Sequence, residues 1–438
     1  MNYQLGIKSM KPDFNNRYLY APINILTLFN LFTVLVFVFG PVQWKIDNEF
    51  TVVSYLLFSL SCLHYGYRKS VSNYKVKDIS EIFTRNRKLI YFIIFFTFSW
   101  FIPLLYLRLG IASFSIVEII EKVVEGLNNP LLVYNEKQQL FEENLGNESI
   151  LQKLNTIFSP IIYSFFSYSI LYFSKFSTPI KVGIITTFFL ECLSWVCIGT
   201  NKGITDIALF LLFMGLALNP KMYRLNFKKI FVSIITICLI LSFFINSMLS
   251  RFGISENSNL IDKIDFNVLG NPLKTTGIYQ EMNIGIKFAL MQITSYLCQG
   301  YYTIALALKE PFTWSYGFGN SWIGLRMWEK LTNNSLVPMT YMGSLERTHD
   351  INPNVAWYSI YTWLASDFTF WGVPVIMFLI GYALGTSWLD TIYKRTIYSS
   401  VVLCLFAQMI FYFFANNQIL SFAFVPFIVS VFLWMRDR

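Results

Sequence analysis

The sequence is poor in charge and in histidine. Only 13% of its 438 residues are charged, whereas a soluble domain carries roughly 25%. Its two histidines, His64 and His349, lie far apart, and its six cysteines include no CxxC pair. A zinc site is therefore not expected, and no metal is assigned. Walker A, GxGxxG, HExxH and GxSxG motifs are also missing from the sequence, so we expect neither an ATPase nor a cofactor-dependent enzyme.

Apolar residues are abundant instead. They make up 55% of the chain, with 44 phenylalanines, and apolar runs of about 15 to 21 residues recur from end to end. Lipid can solvate such runs and water cannot, so the sequence predicts an all-α polytopic integral membrane protein with about ten transmembrane helices, and at most twelve. The predicted spans are residues 20–40, 51–67, 89–107, 155–174, 182–199, 204–218, 230–249, 370–389, 397–415 and 419–435.

The net charge of +9 is explained by the distribution of basic residues relative to the membrane, so nucleic acid is not expected as a partner. If both termini are cytoplasmic, the inner segments hold well over half of the 34 Lys and Arg residues. This distribution obeys the positive-inside rule. We therefore predict one membrane domain over residues 1–438, with both ends in the cytoplasm.

Two outer loops are long. Residues 108–154 form an acidic loop with helical spacing, and residues 250–369 form the largest non-spanning segment, in which we expect short helices and the candidate active site. The uncharged run 288–308 is ambiguous. We favour an outer-face or re-entrant helix, because a single extra crossing would place the basic residues after 390 outside. A second crossing within 353–369 would return the residues after 390 to the cytoplasm, and this gives the twelve-span alternative.

Lys202 and Arg251 are candidate cations at the outer membrane surface. Lys202 lies in the turn Gly199-Thr200-Asn201-Lys202-Gly203, one helical turn before Asp206. It would either form a local pair with Asp206 or hold an anionic headgroup. Arg251 follows the seventh predicted span and would either snorkel to the interface or contact phosphate.

The run Arg347-Thr348-His349-Asp350 is the strongest candidate in the large loop, with Arg326 upstream of it. Arginine matches phosphate in a bidentate fork, and His349 or Asp350 could take a proton from a hydroxyl group. The alternative is a solvated loop with an ordinary ion pair.

Two further acids and four tryptophans complete the candidates. Glu191 lies midway along the fifth predicted span and is either functional or paired with another span. Asp367 lies where an outer helix meets the eighth span, as a substrate-facing acid or a helix-end residue. Tryptophan rings could stack on sugars or form an aromatic belt at the interface. The tryptophans considered are Trp322, Trp328, Trp357 and Trp363.

The chain resembles the Wzy-type O-antigen and oligosaccharide repeat unit polymerases. The resemblance is carried by ten or more spans, one dominant outer loop, GTNKG between two middle spans, and NVAWYSIYTWLASDFTFWGVPV at 354–375. It covers the whole chain as an architecture. Many relatives have arginine near the middle turn, where this chain has Lys202, so a bidentate phosphate contact is not expected there.

The resemblance implies a glycosyltransferase of the bacterial inner membrane. Its donor would be a glycan on undecaprenyl pyrophosphate, and its acceptor a second lipid-linked unit. Pyrophosphate would be bound by Arg347, Arg326, Lys202 and Arg251. The base would be His349, with Asp350, Asp367 and Glu191 as alternatives. Membrane lipids are expected partners, and the resemblance allows a chain-length regulator protein. The alternatives are an O-antigen ligase or other lipid-sugar transferase, or a flippase for the same lipid-linked glycan.

Overall fold

The computed structural model describes residues 14–75, 82–109, 116–129, 132–133, 149–200, 202–223, 266–274, 276–279, 281–394, 396 and 398–438. The predicted span 230–249 and Arg251 lie outside these residues. The regular secondary structure of the described residues is helical apart from one two-stranded antiparallel hairpin, formed by β1 (Asn267–Val268) and β2 (Asn271–Pro272).

Fifteen α-helices occur in the described residues. They are α1 (Asn16–Leu19), α2 (Ala21–Phe39), α3 (Glu49–Asn73), α4 (Ile82–Leu109), α5 (Ile116–Asn128), α6 (Ile150–Leu171), α7 (Thr178–Cys197), α8 (Lys202–Leu218), α9 (Ile284–Ala307), α10 (Trp322–Thr332), α11 (Tyr341–His349), α12 (Ile360–Leu389), α13 (Ser399–Phe411), α14 (Gln418–Phe422) and α15 (Phe424–Asp437).

The protein is an integral membrane protein built from helices. Among the described residues, five helices are long and apolar enough to cross a membrane. They are Ala21–Phe39, Asn86–Leu109, Ile150–Leu171, Thr178–Cys197 and Ile360–Lys394. Large apolar side chains such as Leu28, Phe189 and Leu379 are exposed on these helices, as expected where lipid replaces water. The count of about ten spans and the orientation stay predictions.

Helices α3 and α12 pack backbone to backbone, and glycines make this approach possible. A Cβ atom on Gly381 would lie 1.9 Å from the carbonyl oxygen of Leu63, and one on Gly66 would lie 2.0 Å from that of Phe378. Gly385 follows Gly381 by four residues on the same face of α12. Small residues at this spacing let membrane helices approach backbone to backbone.

The ambiguous run 288–308 is helix α9, and whether it crosses the membrane stays a prediction. The Tyr301 hydroxyl lies 2.8 Å from Oγ1 of Thr33 in the second half of α2. The Asn48 side chain, in the loop after α2, donates to the carbonyl of Ala305 at 2.8 Å. A Cβ on Gly300 would lie 2.3 Å from the Phe414 carbonyl. These contacts hold α9 against α2 and against the segment that follows α13.

At the opposite end of the bundle, Asp390 joins three helices. Its fully buried carboxylate accepts hydrogen bonds from the Tyr74 hydroxyl at 2.7 Å and the Trp434 indole at 2.9 Å. Lys394 lies 2.9 Å away as its counterion. Because a buried charge needs both a counterion and hydrogen bonds, this group fixes the ends of α3, α12 and α15 relative to one another.

Helix α12 contains a break at Thr369. Its backbone has φ 61° and ψ 164°, a conformation that is rare for a β-branched residue and costs about 1–3 kcal/mol. The sequence places the meeting of an outer helix and the eighth span at Asp367, two residues earlier. The break divides α12 into a short first part that carries Asp367 and a long apolar second part.

Candidate functional site

A buried ion pair joins α4 to α7. A guanidinium nitrogen of Arg108 lies 2.9 Å from Oε2 of Glu191, with side chains 13% and 7% exposed. The Trp195 indole donates to Oε1 of Glu191 at 2.9 Å, one helical turn along α7. The Arg108 guanidinium lies 4.3 Å from the Trp195 ring centre. One Glu191 oxygen therefore accepts a hydrogen bond from Trp195 and the other faces the Arg108 guanidinium, so this carboxylate positions both side chains.

The same tryptophan touches the turn that carries Lys202. A Cβ on Gly203 would lie 2.0 Å from Nε1 of Trp195, so only glycine leaves room for the indole at this position. Gly199, with φ 66°, ends α7 in the left-handed conformation. The turn thus brings Glu191 and Lys202, two of the candidates from the sequence, into one contiguous group of side chains.

Lys202 and Asp206 form the local pair that the sequence allows. Their side-chain atoms lie 2.7 Å apart, and the other carboxylate oxygen of Asp206 accepts from the Tyr412 hydroxyl at 2.9 Å. The Lys202 side chain keeps 30% of its surface exposed. An ammonium carries three N–H donors, and the Asp206 bond uses one of them. An anion can therefore still reach the exposed side of Lys202.

Sequence reasoning missed Arg108 and Trp195, which belong to this group, and the neighbouring Tyr163. Arg108 lies near the end of the third predicted span and was counted with the acidic loop, and Tyr163 lies on α6 within electrostatic range of Arg108, Glu191 and Asp206. Neither has a local motif. An arginine within a turn of the end of an apolar run is the one signal that could have identified Arg108. We call Arg108, Glu191, Trp195, Lys202 and Asp206 the membrane cluster.

Contacts extend from the membrane cluster to α10. The Lys202 ammonium lies 6.0 Å from the ring of Phe422 in α14. The neighbouring Ser421 hydroxyl accepts from the backbone N–H of Trp322 at 3.3 Å. Arg326 is half-buried one turn further along α10, so α14 lies between these two candidate cations.

His349 belongs to a second group, which we call the loop cluster. Its Nε2 lies 3.9 Å from Oε1 of Glu310. The same carboxylate accepts from the hydroxyls of Ser344 at 2.5 Å and Thr348 at 3.0 Å. The His349 side chain is 40% exposed. Glu310 follows α9 in sequence and meets α11 only through folding, so no sequence pattern indicates this partner.

Arg347 and Asp350, from the same run, point elsewhere. Arg347 donates to the carbonyl of Pro338 at 2.9 Å, and Asp350 ends α11 in the left-handed conformation, with φ 56°. Both side chains are exposed. Residues two apart on a helix do not share a face, so Arg347 and His349 reach different surroundings.

Asp367 anchors a loop. One of its oxygens accepts from the Ser315 hydroxyl at 2.6 Å and the Gly317 N–H at 2.9 Å, and the other accepts from the Asn320 amide at 2.8 Å. The side chain is buried. A fourth neutral donor, the Gly319 N–H, lies 3.4 Å away, so the geometry of Asp367 favours anchoring over the predicted substrate-facing role.

The four tryptophans differ in access. Trp363 is fully buried, packs on Trp322 and donates to Asn416 at 3.0 Å, so its ring is not accessible to a sugar in this structure. Trp357 is half-buried against Tyr296. Trp328 stacks against Tyr316 at 5.1 Å between ring centres.

A short outer loop is also predicted between the first two spans, at residues 41–50, and it offers Asp47 and Glu49 as acids for a ligase or another lipid-sugar transferase. Asp47 is hydrogen-bonded to Lys309, and this bond holds the pKa of the Asp47 carboxyl below its usual range. It joins the loop after α2 to the end of α9.

We expect the double substitution Asp47→Asn/Glu49→Gln to leave product length unchanged on a surface-polysaccharide gel, because an exposed pair contributes little. Loss of product would restore these acids as catalytic candidates.

In the described part of the chain, no three His, Cys, Asp or Glu side chains gather closely enough to hold a metal ion. No protein-family model, curated protein or solved structure matches this sequence or fold.

Proposed function

We propose that the protein polymerises lipid-linked oligosaccharide repeat units, by glycosyl transfer at the outer face of the bacterial inner membrane. The donor is a glycan on a polyprenyl pyrophosphate, and the acceptor is a hydroxyl of a second lipid-linked unit. The proposal rests on the architecture described in Sequence analysis and on the chemistry of the two clusters.

The membrane cluster is the observation that supports the proposal most. Ionisable side chains between membrane helices are costly and are functional candidates by default. Here Arg108 and Lys202 lie on either side of Trp195, and each is held by a carboxylate. A lipid pyrophosphate presents its charge near the membrane surface, where such cations would offset the negative charge that develops on the leaving group.

The loop cluster supplies the base in this proposal. The acceptor oxygen attacks the anomeric carbon of the donor, and its proton passes to a ring nitrogen of His349. A new C–O bond forms as the bond from the anomeric carbon to the pyrophosphate oxygen breaks, and the lipid pyrophosphate leaves with the electron pair. Glu310, with an oxygen 3.9 Å from Nε2 of His349, would orient the imidazole.

Substituting His349 tests the base directly. We expect His349→Ala to lower the rate of polymer formation by about 10²–10⁴-fold, the usual contribution of a positioned base. The measurement is chain elongation by purified protein in vesicles that contain the lipid-linked repeat unit. His64→Gln, at the only other histidine in the sequence, is the matched control and should keep the wild-type rate. Equal rates for wild type and His349→Ala would remove His349 from the mechanism.

The function as a whole is tested by a gel of surface polysaccharide from a strain that lacks the gene, with and without the gene restored. A polymerase predicts loss of the ladder with a band of core plus one repeat remaining. Loss of every repeat-bearing band would instead indicate a ligase or a flippase. An unchanged ladder would refute the proposal.

A further inference from the structure

An exposed aromatic segment precedes α10. Phe312, Trp314 and Tyr316 alternate along the chain and are 40%, 54% and 46% exposed, whereas Ser315 between them is fully buried. Three large rings on one short segment form a concentrated apolar surface, and such surfaces usually mark binding sites. None of these three rings is among the predicted sugar contacts. We call residues 312–316 the aromatic platform.

The aromatic platform is fixed by hydrogen bonds to α12. Ser315 and Gly317 both donate to the Asp367 carboxylate of α12. Tyr316 has φ 53° and Gly317 has φ 82°. A left-handed tyrosine costs about 1–2 kcal/mol and persists only where its surroundings determine it. Asp367 therefore has a clear role, which is to fix the positions of Trp314 and Tyr316.

The rings present flat faces at an angle. Tyr316 lies parallel to Trp328, within 5° and at 5.1 Å between centres, so Trp328 supports one face of Tyr316 from behind. Trp314 lies 5.2 Å from Tyr316 with an angle of 54° between the planes. Two inclined aromatic planes, one of them backed by a third ring, can contact a flat ligand such as a pyranose ring.

The platform faces water. Residues 311–314, 316 and 317 are exposed and lie outside helices and strands. Irregular backbone with this exposure does not occur in the hydrocarbon region, where its N–H and C=O groups would lack partners. The ligand of these rings is therefore in the aqueous phase, which favours a glycan over a lipid tail.

The platform is also continuous with the loop cluster. It begins two residues after Glu310, the acid beside His349, and the Phe312 ring lies 6.4 Å from the ring of Tyr341 at the start of α11. Hydrogen-bonding groups next to flat apolar rings are what a sugar, with its hydroxyl edge and apolar face, requires.

We propose that the aromatic platform binds the glycan chain, by stacking of sugar rings on Trp314 and Tyr316, and holds it beside the loop cluster. This inference rests on the proposed function, since it assigns the platform to the same glycan. It gives Asp367 a positioning role and replaces Trp363 as a sugar contact.

Binding can be measured without catalysis. The full-length protein in lipid nanodiscs is titrated with polysaccharide that mild acid has released from its lipid in the strain carrying the gene, and tryptophan fluorescence is followed. We expect a saturable change for wild type. Affinity should fall about tenfold or more in Trp314→Leu and in Trp314→Ala/Tyr316→Ala, because each removes a stacking plane. Trp371→Leu, at a 91% exposed tryptophan on α12, is the matched control and should bind like wild type.

Two outcomes would overturn the platform. One is unchanged affinity in both Trp314 variants. The other is stronger quenching of wild type than of Trp314→Leu by brominated lipids, which would place the ring in the bilayer. A platform that fails in this way leaves the ladder test of the deletion strain unaffected. Glycan affinity that depends on Trp314, combined with an unchanged ladder in the deletion strain, would retain the platform and refute the polymerase.

Discussion

Replacing Arg108 by methionine should abolish polymer and also reduce the amount of folded protein. The substitution leaves the Glu191 carboxylate, 7% exposed, without its counterion. Removing one partner of a buried ion pair costs about 3–5 kcal/mol. Loss of polymer in this variant alone would therefore not distinguish a structural role of Arg108 from binding of pyrophosphate.

The double substitution Arg108→Met/Glu191→Leu makes that distinction. It removes both charges at similar volume, and such replacements of buried pairs are often neutral or stabilising. We expect the double variant to recover wild-type yield in the membrane and wild-type thermal stability in detergent, yet to form no polymer. Normal polymer from the double variant would show that the pair serves packing alone, and phosphate binding would then fall to Lys202.

Gly381→Ala should strongly destabilise the bundle, although alanine is the better helix former by about 1 kcal/mol. Its Cβ would lie 1.9 Å from the Leu63 carbonyl oxygen, and backbone cannot yield as a flexible side chain can. Separating α3 from α12 should cost about 1–3 kcal/mol, as overpacking does in other cores. The measurement is the thermal unfolding midpoint of purified protein in detergent.

Gly372→Ala is the matched control, on the same helix. A Cβ there would meet only a side-chain atom, the Phe368 Cβ, at 3.2 Å, so the midpoint should fall far less than in Gly381→Ala. Equal midpoints for the two variants would show that α3 and α12 do not depend on the glycine contact. The same substitution therefore has unequal expected effects at two positions of one helix, and the difference lies in what each Cβ would touch.

Sequence reasoning performed best on features that lipid imposes along the chain. The helices α2, α4, α6, α7 and α12 were predicted from apolar runs, and all five can cross a membrane by length and composition. The junction in α12 was expected at Asp367 and the break lies at Thr369. The Lys202–Asp206 pair also followed from spacing alone, because residues four apart share a helix face.

Prediction was weakest where partners come from distant segments. Trp363 was taken as a sugar contact, yet folding buries it against Trp322 of α10 and against Asn416. Glu310 and Arg108 were not chosen, because nothing near them in sequence indicates that they meet His349 and Glu191. Asp367 was chosen for its position, but its hydrogen bonds to Ser315 and Asn320 become visible only when the loop is folded.

The sequence by itself determined that this protein is a helical membrane protein. Lipid solvates long apolar runs and water does not, and in lipid a helix satisfies the hydrogen bonds of its own backbone. The sequence also determined which residues carry charge into or beside that bundle. The tertiary structure decided which of them meet: Glu191 with Arg108, Lys202 with the Trp195 ring through Gly203, and His349 with Glu310. The physical reason is that buried charges are stable only with partners, and which partner is within reach depends on how the helices pack.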